Sequence, residues 1–320
     1  MNTQILISGG SIAGPALAHW LHRFGFRATI VERSPGLRPG GQAVDIRGIA
    51  KEVVRRMGLD AAVRAACTDT DGLSVVTRNN RRVATMRSDL FDGDGLIAEI
   101  EILRGDLSEV FYEATKDNTE YLFGDRIESL SEDADGVSVR FASGLERRFD
   151  LVIGADGLHS GVRSLVFGPE SDYIRHLGHY LSFFTVPNRL GLDRWALGYG
   201  EPGRTAGIRS IHENREAMGF LSFRAEQLAY DYRDVDAQRA LVLAVRRCRV
   251  GDPVAADPDG QRAGLLLRLV QPDRDGLLVG RPGGAARRRR LLPVAAVRAG
   301  HQRGDRRGLC AGRGARGGGW

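Results

Sequence analysis

QILISGGSIAGPALAHWLHRFGFRATIVER, residues 4–33, decides the reading of this chain. Gln4 to Ser8 is a short apolar strand, and Leu17, Leu21 and Phe24 then recur at helical spacing. Between them lies the glycine-rich turn Gly9-Gly10-Ser11-Ile12-Ala13-Gly14. Gly25 ends the helix, and a second strand, ATIVER, reaches Glu32 eighteen residues beyond Gly14. Strand, glycine turn, helix and strand with an acid at that distance make a dinucleotide-binding βαβ unit. Gly9 permits the tight turn and Gly14 close packing of helix on strand, while the helix N-terminus offers free N–H groups and its positive dipole end to a pyrophosphate. Glu32, with Arg33 beside it, is placed for ribose hydroxyls. The central glycine of the pattern is replaced by Ser11, which still allows close backbone approach but adds a hydroxyl.

Around this unit the chain has 320 residues, 42% hydrophobic and 27% charged, enough for a sizeable core in two domains or one large α/β unit. Three scattered cysteines, Cys67, Cys248 and Cys310, indicate neither a disulfide framework nor a paired-cysteine metal site, so no metal and a reducing cytoplasm are expected. No signal peptide is expected, and no apolar run approaches the roughly 20 residues of a membrane span. The net charge of +6 raises the question of nucleic acid, but the excess is local. Residues 281–320 carry eleven arginines against Asp305 alone, a net of +10, which leaves −4 for residues 1–280. Without aromatic residues interleaved among the arginines, a nucleic-acid surface is not indicated.

Two further motifs separate the possible dinucleotides. Leu103-Arg104-Gly105-Asp106-Leu107 opens the helical pattern LSEVFYEA, which puts Arg104 at a helix start, next to an anion or a ring face. FDLVIGADGLHSGVR then gives a buried strand from Phe149 to Ile153 that ends at Gly154-Ala155-Asp156-Gly157. In an open α/β sheet, an acid at the C-terminal end of a strand stands where ligands bind. Plainer roles remain open for each: an ion pair of Arg104 with Asp106 or Glu101, a helix N-cap for Asp156, packing for His159 and His179, and a small inert hydrophobe for Cys67.

Taken together, GGSIAG, the acid of VER, the R-G-D-L arginine and GADGLHSGVR resemble the FAD-dependent class A flavoprotein monooxygenases, the para-hydroxybenzoate-hydroxylase-like enzymes, over residues 4–168. The resemblance implies a fold: α/β, with a Rossmann-like FAD-binding domain (1–168, part of the substrate-facing segment lying at about 70–100) and an inserted, mostly antiparallel β-sheet substrate domain (169–243). It implies FAD as cofactor, with NAD(P)H as co-substrate and O₂ used to hydroxylate an aromatic or polyketide-like small molecule. It places Gly9, Ser11, Ile12, Ala13, Gly14, Glu32, Arg33 and Arg104 against FAD, and Asp156 and Gly157 near the flavin and pyrophosphate. The segment Gly40 to Gly48 looks like the one that passes along the isoalloxazine in the tetracycline-inactivating branch, which puts Gln42, Asp45 and Arg47 near the flavin. No catalytic side chain is assigned, and neither the substrate nor the oligomeric state can be read. A reductase, oxidase or halogenase of the same fold, or an inactive relic, fits the same motifs.

After residue 168, YLSFFTV, RWALGYG, TAGIRSI and AMGFLSF alternate as antiparallel strands. Phe183, Phe184, Trp195 and Phe223 suggest an aromatic pocket, with core packing as the other account. From Ala244 to Trp320 the character changes: Glu, Lys, Ile, Ser, Thr, Asn, Met, Phe and Tyr are all missing, and irregular structure is expected. The family's third FAD segment, a G-D followed by Pro and G-x-G-T, should follow residue 270, yet Gly280 is followed by Arg281-Pro282-Gly283-Gly284. Read one base later, the codons for Gly280 to Gly283 permit Gly-Asp-Pro-Ala, and those for Pro293 to Gln302 permit a G-Q-G-T run. A one-base frame change near residue 244 accounts for both the missing residue types and the missing motif.

Overall fold

The computed structural model describes residues 3–89, 95, 97–231, 233–247 and 277–280. In chain order its elements begin with β1 (Gln4–Ser8), α1 (Ala13–Arg23), β2 (Arg27–Glu32), β3 (Ala43–Asp45), α2 (Ile49–Arg56) and α3 (Asp60–Ala65). A hairpin follows, β4 (Gly72–Val76) and β5 (Arg82–Arg87), then β6 (Glu101–Leu103), α4 (Arg104–Glu113) and β7 (Glu120–Phe123). Next come β8 (Ile127–Asp133), β9 (Gly136–Phe141), β10 (Glu146–Phe149), β11 (Leu151–Gly154) and α5 (Gly161–Phe167). The described elements close with β12 (His179–Pro187), β13 (Trp195–Glu201), β14 (Arg204–Ile211), β15 (Glu216–Arg224), α6 (Val235–Arg247) and β16 (Leu277–Gly280).

Strands β11, β1, β2 and β7 form a parallel sheet in that order. Both of its faces are covered, so β1 and β2 are apolar throughout rather than alternating. On one face Ile5, Ile7, Ile30 and Ile153 pack against Ala18 of α1, and on the other Leu6, Val31 and Val152 pack against Val139, Phe141 and Phe149 of the antiparallel β10-β9-β8 sheet. The strand expected from Phe149 to Ile153 is two strands. Phe149 ends β10, which pairs with β9, and β11 begins at Leu151 beside β1. Asp150 makes the break, since its carboxylate accepts the Gln4 N–H at 2.6 Å while its own N–H donates to the Gln4 carbonyl at 3.0 Å.

The larger sheet has the order β16-β12-β15-β14-β13-β4-β5 and is antiparallel except where β13 runs parallel to β4. Its four central strands are the alternating segments of the sequence. Pleating sends successive side chains to opposite faces, and this divides the four aromatic residues. Phe184, Phe223 and Trp195 belong to one core with Tyr180, Val186 and Leu197, whereas Phe183 lies on the other face against Leu103, Ile211 and Met218. They are not one pocket. At the β13–β4 pairing Gly72 is needed for room: a Cβ there would stand 2.3 Å from the Trp195 ring.

Among the described residues no helix is long and apolar enough to cross a membrane. The expected irregular tail, 244–320, and the third-segment readings after Gly280 lie outside the described residues except for the end of α6 and β16, and β16 is paired with β12.

Candidate functional site

The site grows from the end of β1. Gly9 takes φ +112° and donates its N–H to the Val31 carbonyl at 2.8 Å, which turns the chain across the top of the sheet. A Cβ on Gly9 would lie 2.5 Å from the Ala155 carbonyl oxygen, and one on Gly14 only 1.9 Å from the Gly9 carbonyl oxygen. Both positions therefore exclude every side chain. The α1 helix opens at Ile12 without a side-chain cap, and Pro15 in its first turn has no N–H.

Glu32 ends β2 with 9% of its surface exposed, and both carboxylate oxygens are held. The Gly10 N–H donates to Oε2 at 2.8 Å and the Ser34 N–H to Oε1 at 3.0 Å. Burial pushes the carboxyl upward, but these two N–H groups, aided by the Arg38 charge, outweigh it and hold the pKa below the ordinary value. Glu32 is an anion with lone pairs left over for hydroxyl donors.

Arg104 is the first residue of α4, as its motif implies. The loop after β2 caps that helix: the Arg104 N–H donates to the Gln42 carbonyl at 2.9 Å and the Gly105 N–H to the Gly40 carbonyl at 2.8 Å. With the backbone held, the guanidinium projects into a cavity lined by Gly10, Ser11, Glu32, Gly36, Leu37, Arg38, Arg104 and Ser108. Among the described residues it makes no hydrogen bond or ion pair. The two carboxylates that could have neutralised it are engaged elsewhere, Glu101 with Arg209 and Asp106 with His212. Burial first, and then the like charge of Arg38, push the Arg104 pKa down, with Glu32 opposing. A half-buried cation without a partner is costly, and the arrangement suits an anion entering the cavity. Ser108 Oγ, one helical turn on, donates to the Ser11 carbonyl at 3.1 Å and ties the glycine turn to α4.

The remaining expected residues separate into groups. Asp156 sits beside Gly9, yet its carboxylate is occupied: it accepts the N–H groups of Gly161 (2.8 Å) and Val162 (3.2 Å), the Ser8 hydroxyl (3.3 Å) and the Ser160 hydroxyl. It serves the start of α5, where Ser160 is the N-cap and accepts the Arg163 N–H at 3.0 Å. Gly157, at φ +80°, is exposed. Asp45 and Arg47 pair with each other at 3.1 Å, Gln42 offers its carbonyl to Arg104, and Arg33 is exposed on the surface and does not line the cavity. Ile12 packs beside Ala16 and Trp20, and Ala13 begins α1. His159 pairs with Glu170 at 3.0 Å. Cys67 donates weakly to the Val63 carbonyl, and burial pushes its thiol pKa up.

Sequence reasoning missed Gly36, Leu37, Arg38 and Ser108. Ser108 had a usable signal, four residues after Arg104 on a helix. Leu37 and Arg38 lie in a loop without periodicity, and only the flanking Pro35 and Pro39 mark it as rigid. Among the described residues no group of histidine, cysteine and carboxylate side chains could hold a metal ion.

An anionic acceptor for hydroxyls and a guanidinium with no hydrogen bond or ion pair among the described residues, on one cavity beside the glycine turn that leads into α1, fit the ribose and diphosphate of an adenosine dinucleotide. Comparison with known proteins agrees. The family described as FAD binding domain matches residues 2–173. An uncharacterized protein of Mycobacterium tuberculosis is 48% identical over 237 residues, 74% of this chain and 64% of that protein. A flavin-dependent monooxygenase of Legionella longbeachae is 37% identical over 238 residues, 74% of this chain and 61% of that protein. Among solved structures, the tetracycline destructase Tet(51) superimposes with a TM-score of 0.73 at 30% identity, covering 88% of this chain and 69% of the other. The chain thus spans a little under two thirds of the length of the curated relatives it matches.

Proposed function

The chain belongs to the FAD-binding-domain family, and on that premise we propose that it is an FAD-dependent monooxygenase that uses NAD(P)H and O₂ to hydroxylate an aromatic or polyketide-like small molecule. One observation carries the reading: Arg104 shares a cavity with Glu32 and with Gly10 and Ser11 of the glycine turn, and among the described residues its guanidinium has no hydrogen bond or ion pair. The names of the relatives, a flavin-dependent monooxygenase and a tetracycline destructase, support the reaction class.

In this reading Glu32 accepts the ribose hydroxyls. Arg104 and the α1 N–H groups around Ser11, Ile12 and Ala13 meet the diphosphate, and Gly9 and Gly14 keep the backbone close enough for that contact. Gln42, Asp45, Arg47, Asp156 and Gly157 lie toward the flavin. Bound FAD would supply the redox chemistry, with NAD(P)H as reductant and O₂ as oxidant, one oxygen atom going to the substrate and the other to water. The chain's part is positioning and exclusion of water. The apolar junction of Phe183, Met218 and Ile211 with Leu103 and Ala43, where the large sheet meets β3 and β6, is the proposed wall of the substrate chamber. The proposal also takes 1–168 as the FAD-binding domain and 169–243 as the substrate domain.

A second reading, a chain that shapes the adenosine-diphosphate site without completing the flavin site, is favoured by the loss of nine residue types after residue 243. The matches to five curated relatives extend over 237 to 241 residues. The deciding experiment is the visible spectrum of purified protein after FAD addition and desalting, followed by NAD(P)H oxidation with product analysis. Retained flavin bands with hydroxylated product support the monooxygenase. Retained bands with H₂O₂ alone support an oxidase-like outcome, and complete loss of colour supports the incomplete site.

A further inference from the structure

The turn between β14 and β15 reaches the start of α4. β14 ends at Ile211 and β15 begins at Glu216, and between them three consecutive non-glycine residues take positive φ, His212 at +49°, Glu213 at +57° and Asn214 at +65°. A left-handed run of that kind is costly for residues that carry a Cβ and persists only where other contacts impose it. Here Asn214 is held on three sides. Its carbonyl accepts the Asn188 amide at 2.8 Å, its side-chain oxygen accepts the Arg194 N–H at 2.8 Å, and its side-chain amide donates to Asp193 at 2.7 Å. The Arg215 guanidinium donates to the His212 carbonyl at 3.1 Å.

The turn so fixed sets the His212 ring between two carboxylates from different elements. Nδ1 lies 2.8 Å from Glu216 Oε2 on β15, and Nε2 lies 3.4 Å from Asp106 Oδ2 in the first turn of α4, two residues after Arg104. A neutral imidazole has one N–H and one lone pair, so in either tautomer one carboxylate would face a lone pair. Only the imidazolium donates to both. Among the described residues the other charges around the turn have partners of their own: Glu213 and Arg215 pair at 3.6 Å, Arg194 pairs with Asp71 at 2.8 Å, and Asp193 holds Asn214. Directly inward, Ile211 packs on Leu103 and Met218, and Arg209, two residues before Ile211, pairs with Glu101 of β6. The junction is thus tied by one ion pair whose cation is permanent and by another whose cation depends on a proton.

We infer that His212 is a positioning residue whose protonated form ties the β14–β15 turn to α4, so that the seam of Ile211, Met218 and Leu103 is held more tightly in acid than in base. The tie stands on this geometry alone. Its effect on the substrate chamber, whose proposed wall includes that seam, rests on the monooxygenase reading.

The test is a double-mutant cycle on the full chain, read as melting temperatures of the parent, His212→Gln, Asp106→Asn and the double variant at about pH 5.5 and about pH 8.5, on either side of the histidine range. The cycle cancels what the other six histidines contribute. In acid the coupling should be worth about 2–4 °C, the size of one partly exposed ion pair, and in base it should vanish. A second cycle, with Glu216→Gln in place of Asp106→Asn, gives the answer if the first variant does not fold. Its coupling should fall between the same two pH values without reaching zero, since a neutral ring still donates from Nδ1. Coupling of equal size at both pH values, or none at either, overturns the inference. Coupling that depends on pH in a chain that retains no FAD upholds the tie and counts against the monooxygenase reading alone.

Discussion

Replacing Glu32 by Gln changes one atom and isolates what the carboxylate does. Both oxygens accept backbone N–H groups, from Gly10 at 2.8 Å and Ser34 at 3.0 Å. Glutamine keeps one oxygen, so one N–H retains a neutral bond and the other faces an amide NH₂ whichever way the side chain is flipped. Losing charge assistance at the first costs about 1 kcal/mol, and orphaning the second costs about 1–3 kcal/mol, so the total is roughly 2–4 kcal/mol. For a unit of this size that corresponds to a drop in Tm of about 5–12 °C. The pH dependence gives an independent check. The Glu32 pKa is held below its ordinary 4.5 in the folded chain, so its stabilisation is complete above that value and is lost as pH falls through the folded pKa. The gap between the parent chain and Glu32→Gln should therefore be full at neutral pH and close as the solution is acidified below about 4.5. Scanning calorimetry across that range decides the matter. A variant melting within about 1 °C of the parent at neutral pH, or a gap that stays constant on acidification, refutes the reasoning.

Arg104→Met should leave the melting temperature without cofactor unchanged or raised, since a half-buried cation without a partner is removed, while weakening FAD by about 10–100-fold; fluorescence titration and melts with and without FAD check the two halves. Gly14→Ala places a carbon 1.9 Å from the Gly9 carbonyl oxygen and should cost about 3 kcal/mol, so a soluble variant with the parent's melting point contradicts the close approach. Phe184→Ala, at a position 3% exposed, should cost about 3–5 kcal/mol and Phe183→Ala less than half of that, read from denaturant midpoints; equal losses would contradict the division of the aromatic residues between two faces.

The parallel sheet was legible because its strands carry their signals locally: apolar runs at β1 and β2, glycines where the backbone crosses, and an acid at the end of β2. The larger sheet was legible for the same reason, since alternation is a property of each strand alone. Partnership between distant segments was not. Nothing near Gly72 announces that the Trp195 ring will press on it, and nothing in FDLVIG marks Asp150 as the joint between two sheets until Gln4 is seen opposite. Arg104 was found through the helix it opens, whereas Arg38 reaches the same cavity from a loop with no period to read. Asp156 was legible as the acid that follows β11, but not as the joint between the Ser8 hydroxyl at the end of β1 and Ser160, Gly161 and Val162 at the start of α5.

The parallel sheet also sets an order of assembly. Strand β1 lies between β2, made moments after it, and β11, which follows 146 residues later at the Gln4–Asp150 contact. At roughly 5–20 residues per second of synthesis, β1 waits on the order of 7–30 s for its second neighbour. Ile5, Leu6 and Ile7 spend that interval along an open edge. The turn at Gly9, which rests against the Ala155 carbonyl, acquires its final shape only when residue 155 has left the ribosome. The nucleotide-binding turn is thus the first motif to be synthesised and among the last to be finished. A nascent chain halted before residue 151 would present that apolar edge to chaperones with the cofactor site still unbuilt.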